Sequence, residues 1–180
     1  HAFGSGSGQL TIGVIGSGGD ASSDAMLATA EAVGLAIAQH GATLVTGGRT
    51  GVMEAASRGA RIGGGLTVGI LPSALRDDAN PFVMLAIPTG LGSARALTLV
   101  RSCDAIIVVG GGAGTLVELG LAYLESKLII VVRESGGLAD RIEPFLVDGR
   151  YLDERRLVAI LFAETTEAAV GLAVSLCASV

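Results

Sequence analysis

The residues able to do chemistry in this chain are gathered in glycine-rich segments. The longest is Gly110-Gly111-Gly112-Ala113-Gly114-Thr115-Leu116-Val117-Glu118. It directly follows the apolar run Ala105-Ile106-Ile107-Val108-Val109 and opens a helical pattern. Glycine lets backbone N–H groups approach a ligand without interference from a Cβ. A new helix adds unpaired N–H groups and a partial positive charge at its first turn. A strand that breaks into glycines and then starts a helix is therefore suited to holding an anion. A second junction of this kind is Thr46-Gly47-Gly48-Arg49-Thr50-Gly51. Two such junctions in one small domain predict a phosphorylated ligand.

The first glycine loop, Gly16-Ser17-Gly18-Gly19-Asp20-Ala21, formally matches G-x-G-x-x-A. A dinucleotide site also wants an acidic residue near the end of the second strand. That place holds Thr46-Gly47-Gly48, so the loop is read as one wall of a nucleotide site. Gly47, Gly48 and Gly51 can form a concave nest of N–H groups. Arg95 follows a glycine-containing turn at a helix start, where a guanidinium suits bidentate phosphate contact. The plainer reading is an exposed helix arginine. Thr115 and Glu118 fit the capping-box pattern, in which hydroxyl and carboxylate bond each other's backbone amides. The functional alternative places Glu118 at the ligand as an acceptor or acid/base group. Glu54 suits the first turn of a helix, and Asp104 suits a turn before a strand.

Composition narrows the class. The chain has 180 residues, half of them hydrophobic and 3% aromatic, so its core is built mainly from Ala, Val, Leu and Ile. That length suits one domain. Net charge is −5, with no basic stripe and no set of stacking aromatics. This argues against nucleic acid or a membrane surface as partner. Cys103 and Cys177 stand alone, which predicts neither a disulfide framework nor a metal site and fits a reducing cytoplasm. No apolar run approaches the ~20 residues of a membrane span. Residues 1–9, beginning His1-Ala2-Phe3-Gly4-Ser5-Gly6, read as a cloning remnant or flexible leader. Residues 10–180 are expected to form one domain.

Strands and helices then alternate. Strands are expected at 11–15, 43–46, 66–71, 82–87, 105–109, 128–132 and 158–162. Helices are expected from caps at 20–24 to the His40-Gly41 stop, and at 52–61, 93–102, 115–126, 138–146 and 165–178. Pro144 disturbs the fifth of these. This order predicts a doubly wound, mostly parallel α/β sheet covered on both faces. Ligands bind such sheets beyond the carboxyl ends of the strands. Every glycine junction named above lies at such an end, which makes one composite site. The terminal helix, with Ala169, Leu172, Ala173 and Leu176, is either core or a surface for a partner subunit.

The ordered motifs resemble a known superfamily. They are the first glycine loop, Gly47-Gly48 with Gly51-Val52-Met53-Glu54, Gly64-Gly65-Leu66-Thr67-Val68-Gly69-Ile70-Leu71-Pro72, Arg95, Asp104, and Gly111-Gly112-Ala113-Gly114-Thr115-Leu116-Val117-Glu118. The chain resembles the Rossmann-like proteins once labelled possible lysine decarboxylases. These include the LONELY GUY cytokinin-activating phosphoribohydrolases and the molybdenum cofactor carrier proteins. The resemblance implies a Rossmann-like fold and a homo-oligomer, dimer or tetramer. It implies either molybdenum cofactor or a nucleoside 5′-monophosphate as ligand, with no further cofactor required. Ligand contacts would come from Gly16, Ser17, Gly18, Gly47, Gly48, Gly51, Arg95, Gly111, Gly112, Gly114, Thr115 and Glu118. If the protein is a hydrolase of N-glycosidic bonds, Arg95 and Glu118 would be catalytic. The hydrolases carry P-G-G-x-G-T-x-E-E and an upstream Arg-Lys pair. This chain has Gly110 for the proline, Val117 for the first glutamate and Ala96 for the lysine. Those departures point to the carrier-like branch, which holds its ligand unchanged. The decarboxylase label is discounted, because the lone Lys127 lies away from the glycine loops.

Overall fold

The structure is a computed structural model that describes residues 8–179. Seven strands form one sheet: β1 (Thr11–Gly16), β2 (Thr43–Thr46), β3 (Thr67–Leu71), β4 (Leu85–Pro88), β5 (Ala105–Val109), β6 (Leu128–Val132) and β7 (Ile160–Ala163). Their order is β4-β3-β2-β1-β5-β6-β7, and every pair is parallel. Five helices connect them: α1 (Asp24–Gln39), α2 (Val52–Ile62), α3 (Arg95–Arg101), α4 (Ala113–Leu124) and α5 (Thr166–Cys177).

The apolar strands are continuous because the sheet is covered on both faces. Strand β5 shows the division. Its Ala105, Ile107 and Val109 join the cluster with α1, α2 and α5. Its Ile106 and Val108 join the cluster with α3 and α4. Helix α1 starts at a Ser23 cap, whose Oγ accepts from Met26 N–H at 3.2 Å. It ends at His40, whose Nδ1 lies 2.9 Å from Ala36 O, as expected of a structural cap. Asp104 ties two central strands, accepting from Thr11 N–H at 2.8 Å and Thr11 Oγ at 2.9 Å.

Several expectations need correction. Residues 138–146 do not form a helix. The amides of Leu138 and Ala139 bond Gly111 O and Gly110 O instead, and only a single 3₁₀ turn, Glu143–Phe145, follows around Pro144. Helix α4 begins at Ala113, two residues before the expected Thr115. The fourth strand is shorter, at Leu85–Pro88. In α5, Ala169 and Ala173 are fully buried against α1 and the sheet, so those positions are core and not a partner surface. Of the expected leader, residues 1–7 lie outside the described residues, while Gln9 Nε2 donates to Gly41 O at 3.0 Å. Among the described residues no helix is long and apolar enough to cross a membrane.

Candidate functional site

Strand order reverses between β1 and β5, and the carboxyl ends of these strands diverge there into two loops. A cavity of about 460 Å³ opens at that point. Gly16, Ser17, Gly18, Gly47, Arg95, Gly111, Gly112, Gly114, Thr115 and Glu118 all line it. The composite site expected from the sequence is thus assembled from the loops after β1, β2 and β5 and from the start of α3.

The loop after β5 divides its backbone groups between structure and solvent. Gly110 and Gly111 have φ of +61° and +109°, which favours glycine. All their polar backbone groups are already bonded. Gly110 N–H donates to Ser135 Oγ and Gly111 N–H to Ser17 Oγ, each at 3.0 Å. Their carbonyls accept from Ala139 and Leu138. Gly111 therefore shapes the cavity without offering an amide. The available donors lie one turn further on. Leu116 N–H makes the first helical bond, to Gly112 O at 3.0 Å, so the amides of Ala113, Gly114 and Thr115 have no helical partner. A Cβ built on Gly112 or Gly114 would meet nothing within 4 Å. That open space lies directly over the positive end of α4.

The capping-box expectation for Thr115 and Glu118 fails because the helix starts earlier. Thr115 Oγ reaches back to accept from Gly112 N–H at 3.3 Å. Glu118, one turn further, faces the cavity and accepts from Arg95 Nη1 at 2.9 Å. The two side chains are 14% and 10% exposed. Burial pushes the Glu118 carboxyl above the usual carboxylate range, and the Arg95 charge and hydrogen bond offset part of that rise. Arg95 is held in turn by Gly47. A Cβ there would lie 2.6 Å from Arg95 Nη2 and 2.7 Å from Met53 Sδ.

Gly48 and Gly51 do not line the cavity. Gly48 N–H donates to Thr46 Oγ at 3.0 Å, and a Cβ on Gly51 would meet Ser17 O at 2.5 Å. Both shape the loops from behind. Asn80 supports the same junction, its side-chain Nδ2 donating to Arg49 O at 2.8 Å and its backbone N–H to Gly48 O at 2.9 Å. Sequence reasoning missed Met26 and Met53, which supply apolar walls, and the loop Ser135-Gly136-Gly137 after β6. Its Ser-Gly-Gly composition at a strand end was the available signal. Ala96 is buried and Val117 is exposed, and neither lines the cavity. The departures from the hydrolase pattern at 96 and 117 therefore remove nothing from the cavity. Among the described residues no cluster of three or more His, Cys, Asp or Glu side chains is placed to hold a metal.

Fold and cavity together define a doubly wound, Rossmann-like α/β protein with an open helix N-terminus beside a buried arginine–glutamate pair. The chain belongs to the SLOG cluster4 family, whose model matches residues 9–170. A structural-genomics X-ray structure is 37% identical, covers 93% of this chain and 99% of its own, and superposes with a TM-score of 0.88. The molybdenum cofactor binding protein of the phototrophic bacterium Rippkaea orientalis is 35% identical, with 95% of this chain and 99% of that one covered and a TM-score of 0.83. A cytokinin riboside 5′-monophosphate phosphoribohydrolase of Mycobacterium marinum is 36% identical over 129 residues, 67% of this chain and 69% of that protein.

Proposed function

We propose that the protein binds a phosphorylated, nucleotide-like small molecule and holds it unchanged, with molybdenum cofactor as cargo. The observation that carries this reading is the open space over Gly112 and Gly114, beside unpaired amides and the Arg95–Glu118 pair. A phosphate group fits there, because dipole and N–H donors converge on it. Glycine at position 114 costs the helix about 1 kcal/mol relative to alanine. No packing within the chain explains it, and close approach of a ligand does. The Met26 and Met53 thioethers face the rest of the cavity, where a flat heterocycle would lie. Glu118 then accepts a hydrogen bond from a ligand N–H or O–H. Similarity over nearly the whole chain to a molybdenum cofactor binding protein supports the choice of cargo.

One observation favours a second reading. Arg95 and Glu118, which the resemblance makes catalytic in the hydrolases, are both present and both face the cavity. In that reading the raised pKa of Glu118 suits a general acid for N-glycosidic cleavage of a nucleoside 5′-monophosphate.

Two assays decide. The pure protein is incubated with AMP, GMP, CMP, UMP and IMP, and free base and ribose 5-phosphate are quantified. In parallel, retention of molybdenum cofactor released from a donor molybdoenzyme is measured. Retention without base release supports the carrier. Base release abolished by Glu118→Ala in a folded protein replaces the carrier with the hydrolase.

A further inference from the structure

Helix α4 is apolar on both sides. Thr115, Leu119, Ala122 and Tyr123 are buried inward, together with Glu118. On the outer side Leu116, Val117 and Leu124 are 45%, 54% and 53% exposed, and Gly120 lies between them. The only charged side chain of α4 is Glu118, so this outer stripe is neutral. A helix that is apolar all round is normally covered.

Gly120 adds an independent observation. It sits mid-helix, yet a Cβ there would meet nothing within 4 Å. Elsewhere this fold places helix glycines where helices touch. A Cβ on Gly34 of α1 would lie 1.9 Å from Ala56 O of α2, and one on Gly59 of α2 would lie 1.9 Å from Glu31 O of α1. Gly120 is the same device with its neighbour missing. Gly171 of α5 is also open, but Glu167 and Ser175 flank it one turn away on either side, both exposed, so it lies on a polar face.

We infer that the outer stripe of α4 packs against the same stripe of a second copy, with the two helices antiparallel and crossing at Gly120. The stripe complements itself. Leu116 and Leu124 lie four residues on either side of Gly120. A two-fold axis through Gly120 therefore sets Leu116 of one copy against Leu124 of the other, twice. Two chains of net charge −5 repel, and a charge-free face is where they can meet. Beside the stripe, Arg101 and Glu125 form an ion pair on α3 and α4 with Nη2–Oε1 of 2.9 Å, so both signs are present for cross-pairing around the axis. Crossing at glycine also brings the two backbones close, as helix pairs with small residues at the crossing do.

The test is sedimentation equilibrium of the full chain, which needs no ligand. Wild type is expected to be a dimer, or a tetramer containing it, at micromolar concentration. Leu124→Glu places like charges against apolar leucines and is expected to raise the dissociation constant roughly 100-fold while leaving circular dichroism unchanged, because the residue is exposed. The pair L116C/L124C, in a Cys177→Ser background, is expected to form interchain disulfides that L124C alone does not form. A monomeric wild type, or an oligomer indifferent to Leu124→Glu that L116C/L124C does not cross-link, overturns the inference. None of these residues lines the cavity, so the result is independent of the ligand reading.

Discussion

Arg95 and Glu118 stand 23 residues apart in sequence, yet Arg95 Nη1 donates to Glu118 Oε1 at 2.9 Å across two helices. Both side chains are nearly buried, and neither can lose its partner cheaply. Removing one member of a buried ion pair costs about 3–5 kcal/mol, because the other charge is left uncompensated. Glu118→Ala is therefore expected to lower unfolding free energy by about 3 kcal/mol in urea denaturation. The double variant Arg95→Met with Glu118→Leu is expected to recover most of that loss. Equal losses in the single and double variants would show that the pair is not coupled.

The same carboxyl sets a pH dependence. Its folded pKa lies above the unfolded value because burial outweighs the help from Arg95. The folded state then holds more protons than the unfolded state between the two values. Stability from this group is present below the unfolded pKa and falls as pH rises toward the folded pKa. Glu118→Gln removes the slope. The check is the difference in unfolding free energy between wild type and Glu118→Gln across the acidic range. A difference that grows in the opposite direction refutes the raised pKa.

Gly47 is glycine because the Arg95 guanidinium and the Met53 thioether lie against it. Gly47→Ala is expected to push the guanidinium out of place and weaken binding of a phosphorylated ligand. Loss of one charge-assisted hydrogen bond is worth about 1.5–3 kcal/mol, or roughly 10–100-fold in affinity. Calorimetric titration with a nucleoside monophosphate measures this in the folded variant. Unchanged affinity would remove Arg95 from the ligand site.

Gly114 predicts effects of opposite sign. Alanine there meets no neighbour and gains about 1 kcal/mol of helix propensity. Gly114→Ala should therefore raise the melting temperature by a few degrees, about what that gain gives in a domain of this size. The same methyl occupies the space where a ligand approaches the α4 amides, so binding should weaken. A variant that is more stable and binds equally well would contradict the proposed ligand position.

Ser17 and Ser135 hold the loop between them. Each hydroxyl accepts a buried amide, from Gly111 and Gly110 respectively. Alanine at either position leaves a buried N–H unpaired, at about 1–3 kcal/mol. Thermal unfolding of Ser17→Ala and Ser135→Ala should show comparable losses. Hydrogen exchange should locate the loosening at residues 110–111.

Much of this was legible in sequence because it is local. β-Branched apolar runs such as Ala105–Val109 announce buried strands, and glycines directly after them announce the loops of the site. What sequence reasoning missed depends on distant partners. The Thr115–Glu118 pattern reads as a cap only if the helix begins at Thr115, and the helix begins at Ala113 because Gly112 breaks the strand geometry with φ −137° and ψ −148°. Glu118 is turned inward by Arg95, which no local pattern reveals. Residues 138–146 have helical composition, but the amides of Leu138 and Ala139 serve the carbonyls of Gly111 and Gly110. A long-range demand there overrode a local preference.

The Asp104 clamp on Thr11 bears on how the chain comes to be made. Strand β1 lies at the centre of the sheet, and one of its edges is filled only by β5, with Asp104 bonded back across 93 residues. A nascent chain emerges from the ribosome amino end first. Until residues 105–109 are out, β1 presents an open apolar edge. Half of the cavity walls do not yet exist at that stage. Ligand capture must therefore follow synthesis of most of the chain, and the exposed edge during that interval is the point at which a chaperone would be needed.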